Sequence, residues 1–157
     1  APGQIVIAGA ADAVALAAKL AKEKGAKMAV KLKVSGPFHT KYMEPAGKAL
    51  RKFLEEIPFA EPQMNLTLNV TGDFYRLSEN LKELLEAQIQ NSVQFESQIL
   101  RFLEAGADTF VEIGPGNTLA GFVKKTAKEI NKKVTVYTID TAEDLKALIA
   151  KKEEIFS

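Results

Sequence analysis

Apolar residues recur along this chain with two alternating spacings: every second residue in short runs, every third or fourth in longer ones. Gln4–Ala8 is a short β-branched run ended by Gly9, and it predicts a buried strand. Asp12–Lys24 places Val14, Ala17, Ala18 and Ala21 on one face with Gly25 just beyond, the spacing and stop of a helix. Across 28–34, Met28, Val30, Leu32 and Val34 alternate with lysines, the period of a half-exposed strand. Residues 4–34 thus predict a β-α-β unit, with strands adjacent or near and a right-handed crossover if they are parallel.

Ser35-Gly36-Pro37-Phe38-His39-Thr40 is turn-rich and predicts a loop. A helix is expected from about Met43 to Ile57, with Pro45 in its first turn and apolar residues at Ala46, Ala49, Leu50, Phe53, Leu54 and Ile57. Leu66–Val70 predicts a brief strand ended by Thr71-Gly72-Asp73. Helices over 79–90 and 93–105 follow, the second capped by Ser92 and stopped by Gly106. A strand at 109–113 meets Gly114-Pro115-Gly116 and leads into a helix over 118–130. A strand at 134–139 and a last helix to about Lys152 close the pattern, with Thr141 and Asp144 spaced as a capping box. Strand then helix, repeated, is an α/β chain with a largely parallel sheet.

Composition narrows the chemistry. Lys and Arg number 21 against 20 Asp and Glu, so no charge excess marks a nucleic-acid or anionic-membrane partner. No run approaches the ~18 apolar residues of a membrane span. Cysteine is absent, which removes thiol nucleophiles and disulfides and fits a reducing cytoplasmic setting. With a single histidine, a zinc site would need mostly carboxylates, so no metal is expected. The chain runs from Ala1-Pro2-Gly3-Gln4 directly into an apolar strand, which a tag remnant or a cut from a longer parent would explain.

The single histidine, His39, is the side chain best suited to moving protons near neutral pH. Taken alone, it reads more readily as a surface or supporting residue than as a catalytic one. Phe38 beside it can be packing or selectivity. Gly114-Pro115-Gly116 between strand and helix invites an anion-binding reading, but neither a P-loop nor a dinucleotide fingerprint is present, and a tight strand-to-helix turn packed near the histidine is the expected role. Glu112 just ahead of it reads as structural.

Longer landmarks bear on the histidine. Ser35-Gly36-Pro37-Phe38-His39 resembles the histidine loop of the malonyl-CoA:acyl-carrier-protein transacylases, a family of acyltransferases. Pro2–Gly9, Gly25-Ala26-Lys27, Met43 with Pro45-Ala46, Asn69-Val70, Gln88 with Asn91–Phe95, and Phe110–Gly116 with Leu119 and Gly121 match further landmarks of that family in order. The resemblance covers essentially the whole chain. It implies that His39 is the catalytic base, that the backbone carbonyl at Gln88 orients its ring, and that Phe38 selects the acyl group. It also implies malonyl-CoA as substrate, acyl carrier protein as partner, and no cofactor.

The departures are as informative. No Gly-x-Ser-x-Gly elbow occurs, so the nucleophilic serine is expected in an N-terminal half outside this chain, together with the arginine that would pair with malonate. The expectation is a partial α/β-hydrolase-like acyltransferase domain at 35–157 plus half of a ferredoxin-like subdomain at 1–34. Alone the chain should be inactive, and its open faces should associate with the missing half or with one another. Rival readings are an acyltransferase fragment of a polyketide or fatty-acid megasynthase and a non-catalytic nucleotide-binding α/β module built on Gly114–Gly121.

Overall fold

The structure, a computed structural model, describes residues 1–152, so the end of the segment expected at 35–157 lies outside the described residues. The chain falls into two compact units, one of Ile5–Gln94 and one joining Ala1–Gln4 to the residues from Phe95 onward.

In the unit of Ile5–Gln94, helix α1 spans Ala11–Glu23 and stops at Gly25, whose φ of +95° suits glycine. The strands expected on either side do not form. Residues 5–8 and 28–34 carry no ladder, and Ile5 and Val30 are 88% and 71% exposed. Alternation gives a segment two faces, but a strand exists only where a neighbour takes its hydrogen bonds. In a split β-α-β arrangement that neighbour is a strand lying between the two. No strand takes that place among the described residues.

A short 3₁₀ turn at Lys41–Met43 leads into α2, Glu44–Glu55. Thr40 starts the turn by accepting a hydrogen bond from the Tyr42 N–H, and proline occupies the first turn of the helix. The strand expected at 66–70 shrinks to one antiparallel bridge, Thr67 with Phe74. Thr71-Gly72-Asp73 folds the chain back on itself there, and the Tyr75 N–H reaches the Leu66 carbonyl at 2.7 Å. Helix α3, Leu81–Gln90, starts on Asn80, whose side chain accepts from the N–H groups of Lys82 and Glu83.

In the second unit, α4 spans Phe95–Glu104. It begins beyond Ser92, which therefore does not cap it; the Gln94 N–H at its entry bonds the Asn69 carbonyl instead. Strand β1, Thr109–Ile113, is followed by α5, Thr118–Glu129, and by β2, Thr135–Ile139. The two strands pair in parallel, from Thr109 opposite Thr135 to Ile113 opposite Ile139. Helix α6, Ala142–Ala150, carries the capping box of Thr141 and Asp144. The core lies between α4, α5 and the strands: Ile99, Leu103, Val123 and Ala127 are buried, with Phe110, Val134 and Val136 against them. Phe95 and Phe122 meet edge to face at 6.3 Å.

Candidate active site

His39 sits on the loop between the open segment 28–34 and α2, with its backbone in the left-handed region at φ +59°. That conformation is uncommon for a residue with a Cβ and is sustained by its surroundings. The Thr40 hydroxyl donates to the Pro37 carbonyl at 2.6 Å, closing the loop across the histidine, and the Met43 N–H bonds the Thr40 carbonyl at 2.9 Å. Phe38 is 46% exposed and lies over Gly36, where a Cβ would stand 3.6 Å from the ring.

The imidazole Nδ1 lies 3.0 Å from the carbonyl oxygen of Gln88, a residue 49 positions away. The carbonyl is available for a reason rooted in helix geometry: Gln88 stands in the last turn of α3, where C=O groups have no N–H one turn ahead. Its neighbour Ala87 has its carbonyl bonded by the Asn91 side chain at 2.7 Å, which leaves the Gln88 oxygen for the ring. A carbonyl only accepts, so in the neutral ring this bond requires the proton on Nδ1 and leaves the Nε2 lone pair open. The ring also faces the negative end of α3, favourable to any positive charge it acquires. No described residue hydrogen-bonds Nε2.

Gly114-Pro115-Gly116 belongs to the other unit. The first turn of α5, where an anion would bind, is already occupied. The Glu112 carboxylate accepts from the N–H groups of Leu119 and Ala120 at 3.2 and 2.7 Å, and Asp140 faces the Gly116 N–H at 3.4 Å. A phosphate there would meet two carboxylates, which argues against the nucleotide-binding reading. Sequence reasoning took Glu112 as structural without finding its bond. It named Asn91 only as a family landmark, without finding its bond to the Ala87 carbonyl. Among the described residues, no group of three or more acidic or histidine side chains is placed to hold a metal. No helix among them is long and apolar enough to cross a membrane.

A parallel strand pair packed with helices in one unit, and a loop histidine hydrogen-bonded to a main-chain oxygen in the other, define an α/β protein. The chain belongs to the acyl transferase domain family, whose model matches residues 1–151. It is 42% identical over 142 residues to the malonyl CoA-acyl carrier protein transacylase of Bacillus subtilis (strain 168), covering 90% of this chain and 44% of that protein. Among solved structures, the malonyl CoA-acyl carrier protein transacylase of Clostridium perfringens matches with a TM-score of 0.82 and 37% identity, over 91% of this chain and 44% of that one. A type II polyketide acyl-carrier protein in complex with its malonyl-transacylase matches at 0.79 and 32%, over 90% and 45%. The chain therefore spans less than half the length of these relatives.

Proposed function

We propose that this chain is part of a malonyl-CoA:acyl-carrier-protein transacylase, supplying the histidine of a ping-pong Ser-His mechanism whose serine lies in another part of the protein. The 3.0 Å contact between His39 Nδ1 and the Gln88 carbonyl carries the reading, because it leaves Nε2 as the basic atom. In the first half-reaction, Nε2 takes the serine hydroxyl proton as the oxygen attacks the malonyl thioester. The tetrahedral intermediate collapses, the C–S bond breaks, and Nε2 returns the proton to the departing thiolate of coenzyme A. The same steps with the phosphopantetheine thiol of acyl carrier protein then release the serine. The ring's transient positive charge faces the negative end of α3 throughout.

On this reading, residues 1–34 are half of a ferredoxin-like subdomain and 35–157 the C-terminal part of an α/β-hydrolase-like domain. The exposed segments 5–8 and 28–34 await strands of the remainder. Phe38 is the acyl-selecting residue, and the setting is the cytoplasm. The relatives' names and the solved complex with a carrier protein support the substrate and partner.

The test mixes this chain with the serine-bearing part of the protein and follows malonyl transfer to carrier protein. Transfer is expected in the mixture and not with either piece alone, and His39→Asn should abolish it. Turnover by the His39→Asn mixture at the original rate would rule the reading out.

A further inference from the structure

We propose that Arg51 is a positioning residue for His39, fixing, with Gly47, the register of α2 against α3 so that the Gln88 carbonyl meets the imidazole. The inference deepens the function proposed above and rests on it.

The two partners stand on different elements. His39 is tied to the start of α2 through the Thr40 bonds and the 3₁₀ turn, while Gln88 belongs to the last turn of α3. Their separation follows from how the 3₁₀ turn and α2 together lie on α3. The contacts between those helices run antiparallel. Near the histidine, Gly47 packs on Glu86, where a Cβ would come within 3.3 Å of the Glu86 carbonyl oxygen. One turn on, Arg51 Nη1 stands 3.7 Å from Glu83 and 4.0 Å from Glu86. At the far end, Lys82 Nζ donates to the Glu55 carbonyl at 3.2 Å.

Hydrophobic attraction is non-directional, so the register of two helices is left to interlocking side chains and to polar contacts. A slip by one turn would carry the Gln88 oxygen ~5.4 Å from the ring. Gly47 allows the close approach, and Arg51 supplies the direction. Its side chain is only 24% exposed, and its Nε is sealed from solvent with no hydrogen bond among the described residues, 3.5 Å from Glu55. Two of its three partners, Glu55 and Glu83, are more than 60% exposed, so these long pairs are screened by solvent and are a poor source of stability. What such a group can provide is register. Lysine in its place would keep the charge but lose the planar fork that sets Nη1 between Glu83 and Glu86 while Nε faces Glu55.

His39 is the only histidine in the chain, so its ring nitrogens give a single, unambiguous set of NMR signals. The experiment records long-range ¹⁵N–¹H correlations of this chain at alkaline pH, where the neutral ring reports its tautomer. Circular dichroism checks the fold. The wild type should hold its proton mainly on Nδ1. Arg51→Ala, and separately Glu83→Gln with Glu86→Gln, should at least halve that fraction while helix content stays unchanged, and Arg51→Lys should fall between. A folded Arg51→Ala or double-glutamine variant with the wild-type tautomer overturns the proposal. Loss of folding in both does so too, by making Arg51 a stability element. The outcomes separate the two inferences: a wild-type ring protonated on Nε2 defeats the reading of His39 itself. A wild-type ring protonated on Nδ1 that the variants do not move defeats only the role of Arg51.

Discussion

Glu112 caps a helix that begins several residues after it: its carboxylate accepts from the Ala120 N–H at 2.7 Å, in the first turn of α5. Asn117, at the usual capping position, makes no such bond. Glu112→Ala should therefore cost about 0.5–2 kcal/mol, the range for losing a helix cap. Urea denaturation measures it. An unchanged midpoint would show that solvent serves those N–H groups equally well.

Thr126 presents the opposite case. It is 1% exposed, within α5, and its hydroxyl has no hydrogen-bond partner among the described residues. Thr126→Val keeps the shape and removes a buried polar atom, so stability should rise by about 1 kcal/mol. A fall in melting temperature would mean that the hydroxyl is satisfied in solution.

Because the contact to His39 comes from main chain, the Gln88 side chain is expendable. Gln88→Ala should retain the Nδ1–H tautomer of His39 and leave transfer in the reconstituted protein within a few-fold of the original. Loss comparable to His39→Asn would transfer the orienting role to the amide side chain.

Phe38→Ala tests selectivity. Opening the position beside the histidine should improve use of methylmalonyl relative to malonyl units, by at most the ~1–3 kcal/mol that one methyl group is worth in an apolar pocket. Competition between the two thioesters reads the ratio directly. An unaltered ratio would leave Phe38 as packing over Gly36 alone.

Asp144 makes the last helix sensitive to acid. The hydrogen bond from the Thr141 hydroxyl, then those from the backbone N–H groups of Thr141 and Asp140, hold its carboxyl below the usual carboxylate range. A lowered carboxyl contributes fully above its ordinary value of about 3.9, and the contribution is lost as pH falls through the lowered value. The Cα shifts of 142–146 should therefore lose helical character as pH drops below about 4. Asp144→Asn should show weaker capping already at neutral pH and no such transition. Identical acid profiles for the two would sink the assignment.

The helices were legible because their signals are local. The period of α2, the Gly25 stop and the Thr141–Asp144 box each lie within one or two turns of the element they define. Strands at 109–113 and 135–139 were legible because each finds the other within the chain. Segments 4–8 and 28–34 carry equally good strand patterns, but pairing is a property of neighbours, which a pattern does not encode. The strand expected at 66–70 failed for a different reason: Thr71-Gly72-Asp73, taken as its end, is the turn of a small hairpin. At the site, His39 was visible by residue type. A main-chain acceptor has no type to read, so Gln88 was accessible only through the family resemblance. Arg51 left one usable trace, a cation on a helix face opposite the Glu83 and Glu86 spacing, which means nothing until α2 and α3 are known to touch.

The backbone at His39 decides which replacement makes a clean blank. At φ +59°, alanine would carry a steric penalty of ~1–2 kcal/mol, mixing a distorted loop into any lost chemistry. Asparagine visits that conformation far more readily and lacks a titrating ring, so a silent His39→Asn protein reports on the missing imidazole, whereas a silent alanine protein reports on two changes at once.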